Sequence, residues 1–594
     1  MDTKKLILAI ALSIIVITLY QYFFMPKPTV KNPAPVKVET KTKNNTPIPS
    51  EIVEKKESKS LSDIFSKEKV EEKKEKLIDK PVVANIKSNS EKEITIETNL
   101  YQAKFTNKGG GLKSFVLKKY KDDLKKPLNL VSEKVNDNFG GDKYLPFYFS
   151  VFSQEEFVKE LNRNLFNFSG DTSIVVSGNN EKELVMKYSS VEKNISVEKR
   201  FSFRNDSYVI GVKILLIKDG LPINIPIMFG PDLENNIGTQ RAQGSVLILK
   251  SYNGTDINKI KFSSVKREKL GEGLESGKGI IGGFNYWVAY ERPYFAALIK
   301  TSKRDTPVEY FTVMTDAKKG KKKDYSYITF VDPTFIYFGP KDEEELKNVE
   351  GLFPESNKVI DYGWAIFGAI AKIMLKGLTF IHKYIPNYGW ALVIFTLFIK
   401  ILLFPLTYAS SVSMAKMQTL QPKIKAIKKK YKNLKDPEQR KKMNTETMAL
   451  YKSEKVNPAG GCLPLLLQMP VFFGLFRLLQ TSISIRHEPW IFWITDLSLK
   501  DAFYVLPILM GITQIIVSKM SPTSADSSQK KMMYIMPVVM VFLFMNFSSG
   551  LNLYWFVSNL LQIGQQHIIN KKIFSEKKRE ESERRAQKKK KRGV

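Results

Sequence analysis

Lys400 is the residue whose type and place could do chemistry. It lies inside an uncharged run, YGWALVIFTLFI before it and ILLFPLTY after it, spanning 388–408. A cation at bilayer depth costs about 2.5–3.5 kcal/mol on insertion scales. The eight residues to Tyr408 correspond to about 12 Å of helix, which a lysine stem covers only in part. Lys400 therefore either snorkels to the interface or stands in a wet cavity. Thr396, Lys400 and Thr407 fall on one helical face. Other apolar runs carry their own polar side chains: Gln468; Thr513, Gln514 and Ser518; and Asn552, Ser558, Asn559, Gln562, Gln565 and Gln566. Polar residues within spans face the bundle interior or water. As plain interhelical hydrogen bonds each is worth only about 0.6 kcal/mol. These runs hold no Asp or Glu to neutralise Lys400, which favours a hydrophilic cavity with a net positive field. The chemistry of such a cavity is solvation and charge, without bond making.

Other chemistry finds little support. Among 594 residues there are 3 His and 1 Cys. Cys462 alone makes no disulfide, and His382, His487 and His567 have neither metal-ligand nor triad spacing. No G-x-x-x-x-G-K-[ST] phosphate loop is present; GKGIIGG at 277–283 lacks its spacing. Neither a metal nor a cofactor is expected. Arg477, a second intramembrane cation, is expected to snorkel outward or meet outer headgroups.

The elements that must position these residues follow from hydropathy and charge. Residues 1–25 contain an apolar run, 6–24, preceded by Lys4 and Lys5 and lacking a small-x-small cleavage site, which reads as an uncleaved signal anchor. Residues 26–92 are Lys-, Glu-, Pro- and Ser-rich with few aromatics, the composition of a disordered linker. From 93 to 345 short alternating segments such as ISVEKRFSFR, split by Gly, Asn and Asp, predict an all-β sandwich. Five further spans are read at 388–408, 460–481, 503–519, 531–547 and 550–569. Segment 363–383 is apolar but puts Lys372, Lys376 and Lys383 on one face, as an interfacial amphipathic helix would.

Charge orients the chain. The net charge is +33, from 93 Lys and Arg against 60 Asp and Glu. The loop 409–459, a helical hairpin broken near NLKDP, has 13 basic and 4 acidic residues, and 571–594 within the tail 570–594 has 12 and 4. By the positive-inside rule both belong in the cytoplasm, which gives six spans, cytoplasmic termini, and residues 26–362 outside.

NYGWALVIFTLFIKILLFPLT, SMAKMQTLQPKIKAI, NPAGGCLPLLLQMPVF, ITDLSLKDAFYVLPILMGITQ and SSGLNLYWFVSNLLQIGQQ resemble the YidC family of membrane-protein insertases in its long Gram-negative form. The likeness runs nearly continuously over 360–570. It is thinner outside, at FNYWVAYERPYFAALI and FIYFGP. It implies a polytopic α-helical membrane protein of six spans with a large all-β, supersandwich-like periplasmic domain in the cell inner membrane. It also implies a groove open to cytoplasm and lipid with a cation at its centre. Lys400 takes that place where the family's proteobacterial members usually have Arg, which keeps the charge and loses the planar fork. Thr396 aligns with a groove-side Thr, and Gln468, Asn559 and Gln562 join the groove. Met469 and Phe472 match a substrate slide, and Tyr554 and Trp555 match a Tyr-Tyr pair on the last span. Arg477 stands where an aromatic or His is more usual.

The resemblance implies nascent membrane proteins as substrates and the Sec translocon as partner. The tail residues Arg584, Arg585, Lys588, Lys589, Lys590, Lys591 and Arg592 suit ribosomal RNA or anionic lipid. Two rivals stand beside the insertase. A small-solute transporter would call for paired broken helices in two halves, which are not seen. A carbohydrate-processing enzyme in the β domain would call for convergent acid–base groups, and 93–345 has no His.

Overall fold

The computed structural model describes residues 84–591, apart from 123–124, 132–144, 151–155, 231–232, 234–246, 263–264, 267, 272–273, 283–284, 318–320, 432–435, 455, 457–462 and 522–526. The expected signal anchor, most of the expected linker, and Cys462 lie outside the described residues. Among the described residues nine helices of ten residues or more follow the β-rich part: α1 (Ala365–His382), α2 (Tyr388–Leu402), α3 (Phe404–Thr419), α4 (Gln421–Lys430), α5 (Pro437–Ser453), α6 (Leu463–Thr481), α7 (Val505–Met520), α8 (Ser527–Phe544) and α9 (Ser549–Lys591). Residues 527–534 of α8 group apart from the larger unit that holds the sheets and the other helices.

The run expected as one span at 388–408 is two helices. Pro405 has no N–H to offer the carbonyl of Ile401, so α2 ends at Leu402 and the chain bends by 57° into α3. The start of α2 is fixed by Asn387, whose side chain accepts from the Trp390 N–H at 3.0 Å and donates to the Trp490 carbonyl at 3.1 Å. Trp490 lies so close that a Cβ on Gly389 would sit 2.3 Å from its ring, so only glycine fits there. The long helix α9 packs against α2, α3, α6 and α7, whereas α1 packs against α2 and α6. Among the described residues α1 alone is long and apolar enough to cross a bilayer, and the bent pair α2–α3 qualifies together; α7 is a shorter apolar helix. Helix α1 buries Gly368, Ala371, Met374 and Leu378 and exposes Trp364, Ile366, Ile373 and Phe380.

Helices α4 and α5 run antiparallel, since Lys423 reaches Glu454 at 2.5 Å and Lys430 reaches Glu446 at 3.1 Å. Asp436 caps α5 by accepting from the Glu438 N–H, with Pro437 in the first turn. Met417, Leu420, Ile424 and Val456 form a small core of their own at the base of this hairpin.

Between Glu93 and Pro340 the described chain builds one ten-stranded and two five-stranded sheets. Pairing is antiparallel except where Thr95–Glu97 lies parallel to Ser173–Val175. The strand Ile195–Arg204 shows the governing pattern, with Ile195, Val197, Phe201 and Phe203 turned into the core. A buried triad, Glu291 with Lys250 at 2.9 Å and Lys341 at 2.8 Å, then ties the sheets to the connector leading to α1. Lys250 also donates to the Val359 carbonyl at 2.6 Å.

Period two also turns Lys199 inward. It is fully buried, donates to the Gly109 and Phe147 carbonyls at 2.7 Å each, and sits 4.4 Å over the Phe149 ring. Burial pushes its pKa down to about 7. An unfolded lysine titrates near 10.4, so between pH 7 and about 10 the unfolded chain binds more protons and folding gains stability as pH rises. Lys199→Met is expected to flatten that rise in denaturant titrations of the full chain. An unchanged slope would show an ammonium that stays charged throughout.

Candidate functional site

Lys400 lies half-buried in the last turn of α2, facing α9. Its Nζ donates to Gln562 Oε1 at 3.0 Å, and its backbone carbonyl accepts from Gln565 Nε2 at 3.0 Å. No carboxylate pairs with it among the described residues. Helix α9 extends the polar line in both directions. Gln468 on α6 donates to Ser558 Oγ at 2.8 Å. Asn559 donates to the Met510 carbonyl and to Thr513 Oγ1 on α7, each at 3.2 Å. Gln566 accepts from Ser411 Oγ at 3.3 Å and donates to Asn570 Oδ1 at 2.8 Å. These side chains recur at three- and four-residue spacing, so a single helix delivers polar groups to α2, α3, α6 and α7.

Of the five residues expected in a groove, Lys400 and Gln562 touch, while Gln468 and Asn559 lie along the same spine. Thr396 stands apart: it is 1% exposed and returns its hydroxyl to the Leu392 carbonyl at 2.7 Å, one turn back on its own helix. The expected slide divides likewise. Met469 is exposed on α6. Phe472 meets Trp555 edge-on at 5.1 Å and joins Phe476, Phe544 and Phe547 in an aromatic cluster between α6, α8 and α9. Tyr554 is 1% exposed, and its ring packs in the protein core. Phe544 and Phe547 belong to this cluster and carried no signal in the sequence beyond hydrophobicity. Of the basic tail, Arg592 and the side chains of Arg584, Arg585 and Lys588 to Lys591 lie outside what the structure describes.

Arg477 has a partner within the protein. Its Nη2 donates to the Asp361 carbonyl at 2.8 Å and lies 3.4 Å from Asp361 Oδ1. The other Asp361 oxygen pairs with Lys259, on the sheet edge. Burial alone would raise the Asp361 pKa, but the Lys259 ammonium, the Lys250 charge and the Gly363 N–H hold it well below the usual carboxylate range. A half-buried acid in the connector thus joins the β domain to α6, the helix that carries Met469 and Phe472.

Two family models cover the described architecture. Residues 93–376 match the YidC periplasmic domain, and residues 380–577 match the 60Kd inner membrane protein. The membrane protein insertase YidC of Geobacter sp. (strain M21) is 37% identical over 81% of this chain and 86% of its own. That of Geobacter metallireducens is 34% identical over 96% and 98%. The chain belongs to the YidC family of membrane protein insertases. A crystal structure of an active YidC insertase, 20% identical, covers 81% of this chain and 94% of its own at a TM-score of 0.33. YidC membership places the protein in the inner membrane and makes the β-rich part a periplasmic domain. YidC proteins are insertases and not enzymes, which accords with the scarcity of His and Cys.

The Arg477–Asp361 contact is testable apart from activity. A double-mutant cycle of Arg477→Gln and Asp361→Asn, read by denaturant unfolding in detergent, is expected to give a coupling of about 1 kcal/mol, scaled down for partial exposure. Strict additivity would return Arg477 to the headgroups.

Proposed function

We propose that this membrane protein insertase works by lowering the dehydration penalty of a polar tail at a single groove cation. The observation that carries this reading is the hydrogen bond of Lys400 to a neutral glutamine, among apolar runs without carboxylates. An ammonium held by an uncharged acceptor keeps its field available to an arriving carboxylate. A substrate's hydrophobic segment leaves its flanking polar, often acidic, residues in a groove formed by Lys400, Thr396, Gln468, Asn559 and Gln562. Of these, Thr396 serves through its place in the wall. The apolar segment then moves into lipid along Met469, Phe472 and Trp555; the buried Tyr554 supports this face from behind. Hydrophobic transfer supplies the energy, aided by the membrane potential at about 2.3 kcal/mol per charge per 100 mV. No nucleotide enters.

The topology that suits this mechanism has six spans, both termini in the cytoplasm, residues 26–362 in the periplasm, and α1 lying in the interface. Its support is the basic loop 409–459 and basic tail, with exposed Lys372 and Lys376 on α1. Helix α7, at 16 residues, measures about 24 Å against a hydrocarbon core of about 30 Å, so it suits a locally thinned bilayer. The Sec translocon is the partner for larger substrates. Arg584, Arg585, Lys588, Lys589, Lys590, Lys591 and Arg592 contact ribosomal RNA or anionic lipid through phosphate charge.

Reversing the charge at the groove tests the mechanism. Lys400→Glu is expected to lower insertion of a small single-span substrate with an acidic periplasmic tail by at least about tenfold, equivalent to ~1.4 kcal/mol. Undiminished insertion by a stably expressed variant would refute it. The tail carries a separate expectation: deletion of 571–594 should abolish co-sedimentation with ribosomes at low salt. Retention of binding would reject the phosphate contact.

A further inference from the structure

Two glutamines one turn apart on α9 hold Lys400 from opposite ends. Gln562 takes the ammonium, and Gln565 takes the backbone carbonyl. That carbonyl stands at a weak point of α2. The helix ends two residues later and bends by 57° around Pro405, and the last carbonyls of a helix have no partner within it. Ile399 finds the Leu403 N–H at 2.9 Å; Lys400 finds a side chain from another helix. The orientation of the Gln565 amide follows from chemistry, because only its NH2 can face an acceptor. Its Oε1 is left buried without a hydrogen-bond partner among the described residues. A buried acceptor left unmade is costly, so the amide is retained for what its other end does.

We infer that Gln565 is a positioning residue for the groove cation. It pins the backbone at the break between α2 and α3, and Gln562 then sets the direction of the stem. Lysine needs this more than arginine does: its charge is a compact ammonium on four flexible carbons, with no planar fork to fix its own geometry. Gln565 touches no substrate in this scheme. It governs how strongly the insertase favours acidic tails over neutral ones, through the place of the Lys400 ammonium. The inference rests on the proposed role of Lys400.

The test compares two single-span substrates differing only in the tail, one with Asp and one with Asn at the same positions, inserted by the full-length protein in proteoliposomes. The quantity read is the ratio of the two insertion rates, which a general loss of folded protein does not move. Gln565→Met keeps the length and removes the donor; Gln565→Leu is the second variant should the first accumulate poorly. Either is expected to lower the acidic-to-neutral ratio by about fivefold, the effect of losing one ordinary hydrogen bond. An unchanged ratio, including equal falls of both rates, overturns the positioning role. Lys400→Gln, run in parallel, separates the two levels. If it lowers the ratio and the Gln565 variants do not, only the positioning role fails; if it leaves the ratio unchanged, the reading of Lys400 fails and the positioning role with it.

Discussion

An ammonium without a counter-ion, placed among apolar helices, is the constraint around which the helical half of this protein is arranged. The Lys400 cation cannot be left in hydrocarbon, and among the described residues no carboxylate is offered to it. The solution is a donor–acceptor match to a neutral amide on a neighbouring helix, which gives the ammonium an acceptor and leaves the charge uncancelled. An acid at the same distance would have formed an ion pair and closed the site to an acidic tail. The excess of Gln, Asn and Ser on α9 follows from that choice. One helix must solvate the cation, serve the carbonyls freed by the Pro405 bend, and still dock on α3, α6 and α7.

The link between the β domain and α6 obeys a different rule, because its charges are paired. Glu291 with Lys250 and Lys341, and Asp361 with Lys259 and Arg477, link sheet, connector and α6 in sequence. A buried ion pair adds little net stability over a well-packed apolar substitute, but it penalises alternative dockings in which one charge loses its partner. The periplasmic domain is thereby held in one register on the helix that presents Met469 and Phe472. Arg477 is paired within the protein and Lys400 is held by a neutral amide, and the proposed substrate role of Lys400 rests on that contrast.

Much of this was legible in the chain. Period-two alternation located the β domain, and the apolar runs located α2, α6, α7 and α9 because hydrophobicity over a full helix is a strong signal. Polar residues inside those runs pointed to the site. Partnership was not legible: nothing in the sequence tells Gln562 from Gln565, although one takes the ammonium and the other a carbonyl. The fate of Thr396 was hidden for a similar reason, since helical phase places it on the face of Lys400 but cannot show that its hydroxyl is used within its own helix. The partner of Arg477 was not legible either, because it lies 116 residues away in a connector with no periodic signature. The bend at Pro405 was passed over because the run around it stayed apolar, and a window of hydropathy joined what the backbone divides.

The most direct test of the account is where a substrate lies while it is being inserted. A photo-reactive amino acid placed in the acidic tail of a single-span substrate and, in separate substrates, in its hydrophobic segment can be activated during insertion by the unaltered protein. The account predicts that the tail probe cross-links to α2 and α9 around Lys400 and Gln562, and the segment probe to α6 around Met469. Tail cross-links confined to α6, or segment cross-links around Lys400, would contradict a groove in which charge receives the tail and an apolar face releases the span.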